Sequence, residues 1–438
     1  MVYDVTANVH RICLYNTVAA KHQHPGNNRK RLYLHIDLNC FYAQVEQQSY
    51  NLFGIPVIVG GWRKENGTPR GIVATSSYEA RAYGVKTGMS HYEASKLCPY
   101  LVPFQVHWNK YQAISKQLRR ILRRYSPNVE AYSSDESFLS LDHLGSETEK
   151  NLLIKLGTQL KDDIRKEIQL IASVGIAESK TYAKLASDLR KPDGLTVIRN
   201  KEDAIQLLHP LPINEVWGIG RKRGQRLQDA GIHTIADAVR EGSGIFKNLF
   251  GSFCGQMLWE TVTGKDCAMV MEAEEHVPQD VSYMHTFSTW ADDPEQVRGE
   301  LIKAVRQLCY RMRGYQRRAQ FFRGYIRFQD TTWRGSKFHF QTPGPTNLDD
   351  YVCTPCLNAA MPLINKFLTE GHRIRGIGMS TKELTNSLQL ELFFRESEKQ
   401  QNLYSAIDQI CNSHGLEILQ PAGIFNATPG KTHFLDRS

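Results

Sequence analysis

Residues 32–38, Leu-Tyr-Leu-His-Ile-Asp-Leu, alternate with a period of two. Leu32, Leu34, Ile36 and Leu38 fall on one face and Tyr33, His35 and Asp37 on the other, as successive side chains of a β-strand do. The strand ends on a carboxylate and runs into Cys-Phe-Tyr-Ala-Gln-Val-Glu-Gln-Gln (40–48), which reads as a helix. A chain that starts this way has to pack a sheet against helices, and the device recurs. Residues 55–60 read as a buried strand, and a long basic helix carries Lys116, Arg119, Arg120, Arg123 and Arg124. Two short strands flank Ser-Ser-Asp-Glu (133–136), followed by a helix near 147–168, a strand at 170–177, a helix at 180–189 and a strand at 195–198. Strands interleaved with helices over 31–60 and 101–199 predict one α/β domain, with residues 61–100 as a small helical insertion in it.

The texture then changes. Residues 200–275 read as all helical, and Trp-Gly-Ile-Gly-Arg-Lys-Arg (217–223) reads as a helix-hairpin-helix. Gly218 and Gly220 make a tight turn whose amides can face a phosphate, with Arg221, Lys222 and Arg223 adding charge. Residues 276–280 read as a linker. From 281 to 394 the order is strand, helix, strand, strand, helix, strand. Within the strand at 319–328, Phe322, Ile326 and Phe328 share one face. Phe321, Arg323, Tyr325 and Arg327 share the other, and alternating aromatic and basic groups suit a nucleic-acid backbone. A net charge of +9 leans the same way.

The 438 residues suffice for about three domains. The nine scattered cysteines read as reduced thiols of a cytoplasmic protein. Cys353 and Cys356 have C-x-x-C spacing, but no second pair exists to complete a zinc site, so they read as packed cysteines. No stretch of eighteen apolar residues predicts a membrane helix. Residues 1–30 lack the apolar core of a secretory signal and read as a loose extension; 395–438 read as a tail of mixed polarity.

Asp135 and Glu136 are neighbours in Tyr-Ser-Ser-Asp-Glu-Ser-Phe-Leu (132–139). In a regular strand their side chains point to opposite faces, so serving one centre requires a bend, which Ser133-Ser134 permits. Asp37, at the end of the first strand, can reach the same sheet edge. Three carboxylates at one edge form an oxygen-rich site of the kind Mg²⁺ prefers, with phosphates and water completing its octahedron. Two such ions support in-line phosphoryl displacement.

Five segments now carry a specific resemblance. DLNCFYAQVE (37–46), TSSYEARAYGVKTGM (75–89), YSSDESFLSL (132–141), GIAESKTYAKLASDLRKPDG (175–194) and WGIG (217–220) occur in the order and spacing of the Y-family translesion DNA polymerases, which include bacterial polymerase IV and the catalytic subunit of polymerase V. The resemblance spans residues 31 to about 394. It implies an α+β multidomain right hand: a ferredoxin-like palm (31–60 and 101–199), small fingers (61–100), a helix-hairpin-helix thumb (200–275) and a βαββαβ little finger (281–394). It also implies that Asp37, Asp135 and the Leu38 carbonyl bind two Mg²⁺, with Glu136 as the remaining catalytic carboxylate. Tyr42 falls on the steric-gate position beside Phe41. Thr75, Tyr78, Arg81 and Lys184 fall where the family binds the nucleotide. Ser134 stands where the family usually has an aliphatic residue, and Asn39-Cys40 mixes the two bacterial branches.

The implied activity is error-prone, DNA-templated synthesis on primer-template DNA from deoxynucleoside triphosphates, without proofreading, by a monomer. Gln389, Leu392 and Phe393 match the Q-x-x-L-F pattern by which bacterial members dock on the sliding clamp. Two rivals make distinct predictions. A nucleotide cyclase needs the carboxylates but no DNA-binding thumb, and a non-catalytic DNA-binding scaffold needs neither the carboxylates nor Tyr42, Tyr78 and Arg81.

Overall fold

The computed structural model describes residues 31–63, 67–145, 148–266, 269–271, 278–328, 335–386, 397–416 and 418–421. The described residues form two compact units, one within 31–271 and one within 278–421.

The first unit runs β1 (Tyr33–Leu38), α1 (Phe41–Ser49), β2 (Val57–Arg63), β3 (Pro69–Ser76), α2 (Tyr78–Ala82), α3 (His91–Leu97), β4 (Val102–Phe104), α4 (Trp108–Leu122), β5 (Val129–Ala131), β6 (Glu136–Ser140), α5 (Lys150–Ile168), β7 (Ala172–Ala177), α6 (Lys180–Asp188) and β8 (Leu195–Val197). Five strands form its main sheet in the order β5-β6-β1-β7-β8. The central strand β1 is antiparallel to both neighbours, which sets Asp37 opposite Glu136 on one side and Ser173 on the other.

Leu34, Ile36 and Leu38 pack with Leu118 and Leu122 of α4 and Leu160 and Ile164 of α5. The opposite face of β1 carries Tyr33, His35 and Asp37, yet all six residues of the strand are buried. Helix α6 covers that face, with His35 Nδ1 2.8 Å from Ser187 Oγ. The helix can come this close because Gly175 of β7 has no side chain: a Cβ there would lie 2.0 Å from the Ala183 carbonyl oxygen.

The strand at 55–60 does not join the main sheet. It continues to Arg63 as β2, which pairs with β3 (antiparallel) and β4 (parallel) in a separate three-stranded sheet. The insertion at 61–100 is therefore half sheet, where the sequence suggested a helical segment. Ile72, Val73 and Thr75 are strand-forming residues, but the glycines and prolines around them hide the pattern. The following α3 starts with a capping box, the Ser90 side chain accepting from Glu93 N while Glu93 accepts from Ser90 N.

Beyond β8 lie α7 (Lys201–Leu207), α8 (Arg221–Asp229), α9 (Ile235–Glu241), α10 (Ser243–Phe250) and α11 (Ser252–Val262). Their core, built on Leu208, Ile213, Leu227, Ile235, Phe246 and Leu258, is continuous with Ala183 and Leu185 of α6. Gly218 takes φ +86° in the turn before α8, a conformation that favours glycine. Trp217, beside it, stacks on Phe138 of β6 with ring centroids 6.1 Å apart, so the turn is seated on the strand that carries Glu136.

The second unit runs β9 (Ser282–Ala291), α12 (Pro294–Gly314), β10 (Ala319–Phe328), β11 (Gly335–Thr346), α13 (Asp349–Thr369) and β12 (Ile374–Lys382), with strand order β11-β10-β12-β9. Phe322 and Ile326 are buried under the two helices, whereas Phe321 and Arg323 are exposed on the other face. Cys353 and Cys356 lie on α13. Cys356 is buried 3.7 Å from Met379 Sδ, and burial pushes its thiol up, as a packed cysteine requires.

The segment after 394 departs from the expected tail. Residues 398–414 form a helix, α14 (Glu398–His414), held on α12 by Arg313, whose Nε and Nη2 donate to Asp408 at 2.7 and 2.9 Å. Tyr404 and Cys411, seven residues apart, form its buried stripe. Gln389, Leu392 and Phe393 lie outside the described residues, as do residues 1–30.

Candidate active site

The site forms where β1 and β6 end side by side. The β1–β6 pairing continues one step past the start of β6, Leu38 N donating to the Asp135 carbonyl at 3.1 Å. The bend that the adjacent acids demand lies at Ser133-Ser134. Tyr132 N and Ser133 N both donate to the Glu136 carbonyl, at 3.0 and 3.1 Å, and Ser133 Oγ accepts from Glu136 N at 3.0 Å. Ser133 Oγ also lies 2.6 Å from Asp135 Oδ1. The serines thus turn the chain and aim Asp135 in one stroke.

A cleft of about 210 Å³ opens at this edge. Its walls bring together Asp37, Leu38, Phe41, Thr75, Tyr78, Arg81 and Asp135 of the sequence-derived set, and add Cys40, Thr87 and Lys191. Glu136, Tyr42 and Lys184 stand beside the cleft rather than in its wall. Cys40 takes φ +40°, and this left-handed residue turns β1 directly into α1. Tyr78 and Arg81 come from the short helix α2, with the Arg81 guanidinium 4.8 Å over the Tyr78 ring and its Nε on the Ser76 carbonyl at 3.0 Å. The Tyr78 hydroxyl is buried with no hydrogen-bond partner among the described residues.

Lys191 was not singled out in the sequence. Its Nζ donates to Asp37 Oδ2 at 2.7 Å from the loop after α6. Asn39 fixes that loop: its Oδ1 accepts from Asp193 N at 2.7 Å and its Nδ2 donates to Ser173 Oγ at 3.0 Å. Lys184 pairs with Glu136 instead, and His35 Nε2 lies 3.7 Å from the same carboxylate. The signal for Lys191 was present in Arg-Lys-Pro-Asp-Gly (190–194), inside a motif already noted, but nothing local points its side chain at Asp37.

The electrostatics follow from the crowding. Burial, and the charges of Glu136 and Asp135, push the Asp37 carboxyl up to about 7 against the opposing pull of Lys191. Burial and Glu136 push Asp135 up as well. Burial and the neighbouring Lys184, Lys191 and Lys180 hold His35 well below the usual imidazole range, so it is neutral. Among the described residues no three His, Cys, Asp or Glu side chains form a preformed cation cage. The lysines on Asp37 and Glu136 hold two of the three carboxylates apart. The donors themselves are hard carboxylate and carbonyl oxygens, which fits Mg²⁺.

This geometry can be set beside known proteins. The impB/mucB/samB family model matches residues 36–188, the helix-hairpin-helix motif of the same family matches 201–232, and the family's C-terminal domain matches 278–392. DNA polymerase IV of Bacillus velezensis is 30% identical over 413 residues, covering 92% of this chain and 95% of its own length. DNA polymerase IV of Clostridioides difficile is 32% identical over 384 residues, covering 87% and 98%. The chain belongs to the Y-family DNA polymerases.

Among solved structures, a Y-family DNA polymerase chimera, Dbh-Dpo4(243-245)-Dbh, superimposes with TM-score 0.69 at 23% identity, covering 81% of this chain and all of the other. DinB from Sulfolobus solfataricus does so with TM-score 0.50 at 22% identity, covering 81% and 99%. As a Y-family member this chain is a DNA-directed DNA polymerase of the translesion type, which sets aside the cyclase and scaffold readings. Among the described residues of this polymerase no helix is long and apolar enough to cross a membrane.

Proposed function

We propose that this polymerase adds deoxynucleotides to a primer 3′-hydroxyl at the cleft between Asp37, Asp135 and Arg81, acting as a cytoplasmic monomer without proofreading. The observation that carries this reading is the pairing of Asp37 with Glu136 across adjacent strands, next to a cleft walled by Tyr78, Arg81 and Lys191. Asp37, Asp135 and the Leu38 carbonyl would hold two Mg²⁺, with Glu136 nearest the primer end. When bound there, Mg²⁺ supplies the positive charge that lowers the pKa of the attacking hydroxyl and neutralises the leaving pyrophosphate. Arg81 and Lys191 face the triphosphate, Arg81 through a guanidinium suited to paired phosphate oxygens. The unpartnered Tyr78 hydroxyl supports the same assignment, because a phosphate oxygen would satisfy it. Lys184 holds Glu136 in place and comes within reach of the substrate from the cleft's flank. Thr75 borders the same phosphates. Template-dependent extension of a primer by the purified protein with Mg²⁺ tests the whole reading, and its failure with every deoxynucleotide would overturn it.

The Asp37 carboxyl gives a pH signature. Its folded-state value of about 7 lies above that of an ordinary carboxylate, so a proton occupies it below pH 7 and a cation must displace that proton. Apparent Mg²⁺ affinity is expected to rise about tenfold from pH 6 to pH 8. Titrating Mg²⁺ against the melting temperature at both pH values measures this. Equal affinities would place the ion elsewhere.

Tyr42 is the sugar gate in this reading, its ring placed under the incoming nucleotide to exclude a 2′-hydroxyl. Tyr42→Ala is expected to raise ribonucleotide use relative to deoxynucleotide use by about 10²-fold, the scale of removing a steric clash of a few kcal/mol. Single-nucleotide kcat/KM for both sugars checks it, and an unchanged ratio would reassign the residue to packing.

DNA is held by the turn at Gly218 and Gly220, where Arg221 and Lys222 are exposed, and by the outer face of β10, where Arg323 and Arg327 alternate with Phe321 and Tyr325. Gln389, Leu392 and Phe393 dock on the sliding clamp, a tether that raises the effective concentration of enzyme at the primer. Replacing Leu392 and Phe393 by Ala should leave unaided extension within about twofold and abolish stimulation by a loaded clamp, since two apolar anchors carry most of such an interface. Full stimulation of the double mutant would overturn the docking assignment.

A further inference from the structure

The first turn of α1 does not by itself fix the Tyr42 ring. A tyrosine there has two free side-chain torsions, yet discriminating one hydroxyl requires a ring placed within about 0.5 Å. Groups from two other elements constrain it. At its tip, the Tyr42 hydroxyl lies 3.1 Å from Ser134 Oγ. Ser134 Oγ in turn donates to Asp135 Oδ1 at 3.3 Å. A serine has one hydroxyl proton. With that proton directed at the carboxylate, Tyr42 is the donor to Ser134, and a relay runs from the ring to Asp135. Both contacts are longer than usual for hydroxyl hydrogen bonds, so the relay orients the ring with modest strength. Ser134 is itself pinned from α4, where the Ser115 hydroxyl donates to its carbonyl.

The face of the ring is held from α4. Tyr111 stacks on Tyr42 with centroids 4.2 Å apart and planes 15° from parallel, and Trp108 meets it edge-on at 5.9 Å. Tyr111 is anchored in its turn: its hydroxyl donates to Glu46 Oε1 at 2.6 Å. Glu46 is fully buried (0% exposed), and Lys110 donates to its other oxygen at 2.8 Å, with His107 Nδ1 3.1 Å from Oε1. Burial works against the Glu46 charge, but the hydrogen bonds from Lys110, Tyr111 and His107 outweigh it and keep the carboxyl below its ordinary range. Because Glu46 sits one turn along from Tyr42 on α1, the network closes on the helix that carries the gate.

We propose that Ser134 and Tyr111 are positioning residues for sugar selection, Ser134 fixing the tip of the Tyr42 ring and Tyr111 its face, so that discrimination between deoxyribo- and ribonucleoside triphosphates depends on both. This rests on the reading of Tyr42 as the gate. The readout is the ratio of kcat/KM for a deoxynucleotide to that for its ribonucleotide, opposite one template base, with the full chain. Ser134→Ala and Tyr42→Phe each should lower the ratio about 3- to 5-fold, the span of one neutral hydrogen bond at the weak end. The double variant should be no worse than the poorer single one, because both remove the same bond. Ser134→Thr, which keeps a hydroxyl, should restore the ratio. Tyr111→Phe should lower the ratio independently and multiply with Ser134→Ala. A merely structural role would shift both sugars equally and leave the ratio fixed. An unchanged ratio in Ser134→Ala, or a double variant that loses the full product of the single effects, would overturn the inference. If Tyr42→Ala itself leaves the ratio unchanged, the gate reading fails and takes this inference with it; if Tyr42→Ala relaxes selection while Ser134→Ala and Tyr111→Phe do not, the gate stands and the inference alone falls.

Discussion

Asp135→Asn is expected to lower primer extension by about 10³-fold or more, equivalent to at least about 4 kcal/mol of transition-state stabilisation. Primer-template affinity should change by less than about threefold, because the proposed DNA contacts at Arg221, Lys222, Arg323 and Arg327 lie on other elements. The size follows from the absence of a substitute. Asp135 is held by the Ser133 hydroxyl at 2.6 Å and by the turn it caps, and an asparagine can occupy the same place with the same shape. What it removes is the charge. The neighbouring acids cannot make up the loss: Glu136 is paired with Lys184, and Asp37 with Lys191 at 2.7 Å. The change should not cost stability, since burial and Glu136 already make the ionised Asp135 unfavourable in the metal-free protein. A melting temperature equal to or above that of the parent, together with lost extension and retained DNA binding, is the expected pattern. Extension within tenfold of the parent would show that Asp135 is not a metal ligand.

The parts of this site legible in the sequence are those fixed by local chemistry. The two-residue period of 32–38 placed Asp37 at a strand end, and the impossibility of two adjacent strand residues sharing a face predicted the bend at Ser133-Ser134. The aromatic and basic alternation of β10 was likewise readable, because exposure of Phe321 and Arg323 follows from burial of Phe322 and Ile326. What escaped the sequence depends on contacts between distant segments. The alternation along β1 does not reveal that both its faces are buried: α6 covers the one bearing His35, and only tertiary packing brings Ser187 to His35 across 152 residues. Lys191 and Asn39 act on the site through a loop separated from it by 154 residues. The stack of Tyr111 on Tyr42 has no signal in either helix alone. Strand β3 and helix α14 were missed for a simpler reason: glycine and proline around the first, and a stripe of just two buried residues in the second, dilute the periodicity that reveals an element.

Gly175→Ala is expected to destabilise the protein by about 3 kcal/mol or more, the upper range for overpacking a rigid interior. The added Cβ would lie 2.0 Å from the Ala183 carbonyl oxygen and 2.3 Å from Ser187 N. Those are backbone atoms of α6, so no rotamer change relieves the clash, and the whole helix has to move off the sheet. That helix carries Lys184 to Glu136 and Ser187 to His35, and the loop after it carries Lys191 to Asp37. A displacement there reaches two of the three carboxylates at once. Gly224→Ala makes the control. Its Cβ would lie closer still, 1.7 Å from Asn214 Oδ1, but that atom ends a side chain able to rotate away. The longer nominal distance at Gly175 therefore predicts the larger loss, because compliance of the neighbour decides the cost, not separation alone. Urea denaturation of both variants measures the difference: Gly224→Ala should cost under about 1.5 kcal/mol, while Gly175→Ala should also reduce extension at temperatures where it remains folded. Equal stabilities for the two variants would mean that α6 is not seated on β7 as closely as this packing requires, and the lysine–carboxylate pairs that it positions would have to be drawn afresh.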